Sequence, residues 1–172
     1  CDFLHRESEF TETCTSIINN KVTILTGASG IGKTRLALEV CRQQDNGKTK
    51  VFCVKSNGNF LYEDIKYYIS DSGKYLIFFD DVNMVVSLDN VFDTILTLPT
   101  DFDVKLLFSV RDYAKERVID AVSRYVLPNI IEIGRFKDDE IKDILKSDLE
   151  IVNPDYLKKI AEIANGNIRL AF

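Results

Sequence analysis

Eight consecutive residues, Gly27-Ala28-Ser29-Gly30-Ile31-Gly32-Lys33-Thr34, carry the clearest chemistry in this chain. They fit G-x-x-x-x-G-K-[ST] and directly follow the strand-like run Val22 to Thr26. A nucleoside triphosphate packs several negative charges into a small volume. It needs convergent backbone N–H groups, one mobile ammonium and a hydroxyl for magnesium. Glycines at 27, 30 and 32 permit left-handed backbone and close approach, and Ala28, Ser29 and Ile31 complete the loop. The helix opening near Lys33 turns its positive dipole end toward the phosphates. Lys33 is expected to reach the β and γ oxygens and Thr34 to hold Mg²⁺, with Arg35 among the nucleotide contacts. The plain alternative is a Gly-rich turn carrying a surface lysine. The neighbouring amphipathic stripe Leu36, Ala37, Val40 and Cys41 argues against it, because the mechanism requires a strand before the loop and a helix after it.

A second cluster complements the first. Tyr75-Leu-Ile-Phe-Phe-Asp80-Asp81 is a buried-type run ending in two carboxylates. A carboxylate at the carboxyl end of a parallel strand beside a phosphate loop can hold a magnesium water, the role expected of Asp80; Asp81 is then free to orient the attacking water. Lys105-Leu-Leu-Phe-Ser109-Val-Arg111-Asp112 is a further strand delivering polar residues at its end. Arg111 would grip γ-phosphate oxygens bidentately and tell ATP from ADP, or else pair with Asp112 or Asp81.

The turn Thr26 to Gly32 also looks like the dinucleotide turn of short-chain dehydrogenases. A dinucleotide site wants an acidic residue, or an arginine, near the end of the second strand; here Val51-Phe52-Cys53-Val54 runs into Lys55-Ser56. The Tyr62/Lys66 pair comes too early in the chain to match that family's catalytic pair.

The elements that must hold these groups alternate. Five short apolar runs (Val22 to Thr26, Val51 to Val54, Tyr75 to Phe79, Val104 to Val110, Asn129 to Ile133) predict a mainly parallel sheet covered on both faces. Stripes at helical spacing lie between them: Leu61, Ile65, Tyr68, Ile69; Leu88, Val91, Phe92, Ile95; Val118, Ala121, Val122, Tyr125. A leading helix presents Phe10, Cys14, Ile17 and Ile18, and Asn19-Asn20 makes the turn into the first strand. Beyond Ile133 the strand signals stop. Asp138, Asp139 and Glu140 open a helix with Ile141, Ile144, Leu145 and Leu149 on one face; a second follows Asn153-Pro154, with Leu157, Ile160, Ala161 and Ala164 inward, and closes at Asn165-Gly166. A boundary near Gly134 is expected, with residues 1–134 binding nucleotide and 135–172 forming a helical lid that is incomplete.

With 172 residues there is room for one α/β domain, of a size that buries about two-thirds of its unfolded surface. Cys1 at the start and an uncapped end at Phe172 suggest a piece of a longer protein. A net charge of −5 gives no electrostatic footprint for nucleic acid. Cys1, Cys14, Cys41 and Cys53 show no C-x-x-C pairing, which predicts buried free thiols and a reducing, cytoplasmic setting. His5, the single histidine, removes His-based triads and multi-His metal sites. No apolar run approaches the ~18 residues of a membrane span.

Taken in order, these segments resemble the STAND class of signal-transduction P-loop ATPases, which includes NACHT and NB-ARC proteins and is related to AAA+ ATPases. Phe3-Leu4-His5-Arg6-Glu7 resembles the leading h-h-G-R-E segment, which in the class lies against adenine and here has His5 in place of glycine. The phosphate loop, hhhh-Asp80-Asp81, and Ser109-Val-Arg111-Asp112 as the sensor motif follow. Ile131-Glu-Ile-Gly-Arg-Phe136 resembles the entry to the helical domain. Gly166-Asn-Ile168-Arg169 stands where the class has G-x-P, with Ile168 in place of proline; Arg169 resembles the sensor-two arginine of AAA+ ATPases, or is a helix-surface arginine. Arg124 sits where AAA+ rings place a trans-acting finger.

The resemblance implies a three-layer α/β P-loop NTPase sandwich with sheet order 5-1-4-3-2 and a helical lid. It implies nucleotide contacts from Phe3, Leu4 and Arg169, and ATP/ADP with Mg²⁺ as ligands. The expected activity is that of a slowly hydrolysing signalling or defence switch. ADP keeps the lid docked, ATP favours opening and self-association, and sensor and effector domains lie elsewhere in the protein. Two other readings stay open: a motor-type AAA+ loader or remodeller, and a non-hydrolysing nucleotide-stabilised scaffold.

Overall fold

The computed structural model describes residues 5–55, 61–85 and 87–172, with 55, 61 and 62 defined by backbone alone. Five strands form one sheet: β1 (Val22–Gly27), β2 (Thr49–Lys55), β3 (Gly73–Asp80), β4 (Phe102–Arg111) and β5 (Asn129–Glu132). The order is β2-β3-β4-β1-β5 and every pairing is parallel, as expected. Continuous apolar runs form the strands because both faces are covered. In β1 all six residues are buried, with Ile24 packing into one core and Leu25 into the other.

One face carries α3 (Leu61–Tyr68), α4 (Leu88–Leu96) and α5 (Lys115–Ser123) over Ile24, Ile77, Phe79, Leu106 and Phe108. Phe79 and Phe92 both meet Phe108 edge-on, at centroid separations of 5.3 and 6.2 Å; such pairs add about 0.5–1.5 kcal/mol beyond their area. The other face carries α1 (Glu7–Asn19) and α2 (Lys33–Gln44) over Leu25, Leu76, Phe78, Leu107 and Ile131. Strand β1 lies between β4 and β5, so its carboxyl end is a point where connections diverge and a crevice opens, the position at which open α/β sheets bind ligands.

Three helices follow β5: α6 (Asp138–Leu149), α7 (Pro154–Ala164) and the short α8 (Ile168–Ala171). They share a core of their own, made by Phe136, Ile141, Leu145, Leu157, Ala161, Ala164 and Ala171. The start of α7 is fixed as its sequence suggests. The Asn153 side chain accepts from the N–H groups of Asp155 and Tyr156, and Pro154 fills the first helical position, where a missing N–H costs nothing.

Some helical stripes are narrower than the sequence predicts. Ile18 is 67% exposed while its neighbour Ile17 is buried, and beneath this end of α1 lies a polar strip. Ser16 Oγ meets Thr23 Oγ1 at 2.7 Å, and Asn129 Nδ2 donates to Ser16 Oγ at 2.8 Å. Tyr68 and Leu149, each at the last position of its helix, are also exposed. The thiols differ as well. Cys41 is buried, with burial and the neighbouring Cys53 pushing its pKa up to about 12, but Cys14 is half-buried and Cys53 exposed on edge strand β2. All three are free. No helix among the described residues is long and apolar enough to cross a membrane.

Candidate functional site

The loop after β1 takes the shape its glycines allow. Gly32 caps α2 with φ of +94° and Gly30 has φ of +81°, a left-handed backbone that a side chain would disfavour by roughly 1–2 kcal/mol. The turn and the first residues of α2 line a cleft of roughly 300 Å³. Its lining includes Ser29, Gly32, Lys33, Thr34, Asp80 and Arg111, joined from the helical side by Ile168 and Arg169. Arg35 and Asp81 also reach it.

Lys33 is only 7% exposed. Its Nζ donates to the carbonyls of Gly27 at 2.7 Å and Ala28 at 2.8 Å. Burial pushes its pKa below the ordinary lysine value, opposed by the carboxylates of Asp112, Asp81 and Asp80. The ammonium is thus a charge held by neutral carbonyls, which anionic oxygens can replace as stronger acceptors.

The two carboxylates at the end of β3 differ in what they touch. Asp80 Oδ1 accepts from Thr34 Oγ1 at 2.8 Å and from Ser109 Oγ at 2.7 Å. Ser109, 1% exposed, in turn accepts from the Asp81 backbone N–H at 2.8 Å. Phosphate loop, β3 and β4 are thereby tied through one carboxylate oxygen, Asp80 Oδ1. Thr34 and Asp80 present hard oxygens, the kind of partner a small divalent cation takes. Among the described residues no cluster of three or more acidic, His or Cys side chains could cage a metal alone. That suits an ion completed by phosphate and water.

Asp81 leaves the strand with φ of +47° and meets Arg111 as a fork, Nε to Oδ1 at 3.2 Å and Nη2 to Oδ2 at 2.6 Å. The carboxylate holds the Arg111 pKa above its ordinary value. Of the two partnerships open to Arg111 in the sequence, the ion pair with Asp81 is the contact seen. Arg124 pairs with Asp89 at 3.2 Å.

Three residues in the site lie inside motifs read from the sequence but had no contact of their own assigned there. Ser109 is the first. Arg6, 7% exposed, is the second: Nη2 donates to Gly134 O at 2.7 Å and Ile31 O at 3.3 Å, and the guanidinium lies 3.9 Å from the Phe136 ring centroid. The third is Asn167, whose Nδ2 donates to Ser29 O at 3.2 Å. Nothing in spacing signals these, since each acts on a segment distant in sequence. His5 adopts φ of +59°, a conformation that explains why the resembled class favours glycine there. Phe3 and Leu4, assigned to the adenine side, lie outside the described residues, as does Ser56. The side chain of Tyr62 is likewise undescribed.

A family model described as Novel STAND NTPase 3 matches residues 4–151. The chain belongs to this family. It is accordingly a nucleotide-binding NTPase domain, and the dehydrogenase alternative falls away. No curated protein matches. Among solved structures, the Thermotoga maritima RuvB Holliday junction branch migration motor aligns at TM-score 0.71 and 16% identity, over 96% of this chain and 59% of that one. The Aeropyrum pernix Orc1 protein, solved in complex with DNA, aligns at 0.78 and 18%, over 99% and 58%. A Walker-type ATPase of Pyrococcus abyssi aligns at 0.69 and 13%, over 99% and 66%. At these identities the likeness is one of fold. The STAND chain spans about three-fifths of the length of these solved relatives.

Proposed function

We infer that the chain is an ATP-binding, slowly hydrolysing switch domain, with residues 1–134 as its nucleotide-binding unit and 135–172 as a lid. The observation carrying this reading is that the lid rests on the phosphate loop itself: Arg169 N donates to Gly30 O at 3.3 Å, beside the Asn167 bond to Ser29 O. A ligand in that loop therefore bears directly on lid position, and differential contacts in two states are what a switch requires.

In this reading Lys33 leaves the carbonyls of Gly27 and Ala28 for the β and γ oxygens, and the α2 amides hold the remaining phosphate charge. Mg²⁺, held by Thr34 and Asp80, would neutralise charge developing on the transferred phosphoryl group. Asp81 orients a water once Arg111 turns from it to the γ-phosphate. Because Arg111 and Asp81 occupy one another, both must be released before hydrolysis, which fits slow turnover. Opening of the lid would expose surface for self-association, with sensor and effector domains elsewhere in a cytoplasmic protein.

A motor reading draws on Arg169 lining the cleft and on likeness to a branch migration motor. The net charge of −5 and the engagement of Arg124 with Asp89 favour the switch.

The test is to denature the purified protein and identify released nucleotide, alongside the Lys33→Ala variant. Adenine nucleotide near one per chain, lost in Lys33→Ala with the fold intact by circular dichroism, is expected. Undiminished ATP binding by the variant sinks the assignment.

A further inference from the structure

The contact between lid and phosphate loop converges on one amide. Asn167 precedes α8, and its Oδ1 accepts from Arg169 N at 3.1 Å, an N-cap bond. Its Nδ2 points the other way and donates to Ser29 O at 3.2 Å. The two ends of one side chain thus serve two parts of the molecule. The oxygen starts a helix of the lid, and the nitrogen holds a carbonyl of the loop that binds phosphate.

The fit is close on both sides. A Cβ built on Gly30 would overlap Asn167 Oδ1 and crowd its Cγ and Nδ2, so Gly30 must lack a side chain to admit this amide as well as to turn. Behind Asn167, the Gly166 carbonyl accepts from Phe136 N at 3.1 Å, and the Asn165 carbonyl accepts from Arg135 Nη1 at 2.9 Å. Asn167 is therefore held from the lid's own entry segment and delivered to the loop in a fixed register.

We propose that Asn167 is a positioning residue of the nucleotide site: its amide nitrogen fixes the Ser29 carbonyl, keeps the Ser29–Gly32 amides turned inward, and so couples phosphate binding to lid docking. This rests on the switch reading above but makes a claim about the nucleotide-free loop too. A carbonyl released at Ser29 lets its peptide unit rotate. That rotation withdraws the following N–H, at Gly30, from the ring of donors on which the loop depends.

The two functions of Asn167 separate by substitution. Asn167→Asp and Asn167→Ser both keep an oxygen able to cap α8, and both lose the nitrogen donor. In the otherwise intact protein, amide exchange without nucleotide is expected to quicken at 29–32 in both variants, while 141–149 in α6 keeps its protection. A purely structural role in the lid would leave the phosphate loop unchanged. Dissociation of a fluorescent ADP analogue, followed by stopped flow, is expected to rise about two- to ten-fold in both, the range one net hydrogen bond supports. Exchange at 29–32 equal to wild type in both variants overturns the proposal. So does acceleration in Asn167→Asp alone, which would mark the effect as carboxylate repulsion. If wild type fails to bind ADP, the switch reading falls, and the exchange measurement still decides the role of Asn167.

Discussion

The two walls of the cleft are built to different standards. On the strand side, Asp80, Ser109 and the Asp81 backbone form a closed chain of bonds at 2.7 to 2.8 Å, seated on the central strands β3 and β4, which are buried from Tyr75 to Phe79 and from Leu106 to Val110. On the lid side, Asn167 and the Arg169 amide reach the loop through bonds of 3.2 and 3.3 Å, backed by a small separate core. Local stability follows buried contacts and protected hydrogen bonds. The strand wall is expected to open only with the whole fold and the helical side to leave alone, the asymmetry that the proposed switch requires.

The contrast is most exposed by Ser109→Ala. It strips a hydrogen-bond donor from the Asp80 carboxylate and takes the acceptor from the half-buried Asp81 N–H, a loss of about 1–3 kcal/mol, as for a bond to a charged group. Calorimetry should show the melting temperature down by roughly 3–10 °C for a chain of this size. Equal stability would mean that the strand wall is not the rigid one. Gly166→Ala should act differently. Gly166 has φ of +77°, and an added Cβ would stand 2.6 Å from Arg135 Cβ and 2.8 Å from Phe136 O. Faster amide exchange across α7 and α8 is expected, with the sheet unchanged; a matching loss of protection in β1 and β4 would erase the distinction.

A smaller effect is expected of Arg111→Ala. The pair with Asp81 is exposed to water, and such pairs add little stability. The melting temperature should hold while the preference for ATP over ADP in competition binding declines. Unchanged preference would confine Arg111 to its partnership with Asp81.

The mildest test uses pH. Burial lowers the Lys33 pKa below 10.5, so between that lowered value and 10.5 the unfolded chain binds more protons at this site than the folded one. This group's contribution to stability of the nucleotide-free protein therefore rises with pH in that window. Nucleotide affinity, which needs the ammonium, falls across the same window. Titration calorimetry that finds affinity level until the ordinary lysine range would remove the burial argument.

Sheet and loop were legible because each rests on a local pattern. Parallel strands covered on both sides read as unbroken apolar runs, so all five emerged with their order implied by resemblance. The phosphate loop is a contiguous motif whose glycines answer a backbone demand. The cross-links were not legible. Ser109 was visible as a strand residue, but its bonds join β4 to β3 and depend on register, which a single sequence does not encode. Asn167 lies 138 residues along the chain from Ser29, and Arg6 lies 128 from Gly134. Helical spacing placed Ile18 inward and could not reveal the polar seam that Ser16 and Thr23 form beneath α1.

Arg6 places the functional beginning of the domain ahead of its first helix. Its guanidinium joins the loop at Ile31, the end of the sheet region at Gly134 and the first aromatic ring of the helical part at Phe136. A chain shortened to start at Glu7 would retain every strand and every phosphate-binding residue, yet lose the pin about which sheet and lid are aligned. The entry segment is in this sense a hinge pin supplied from outside the hinge.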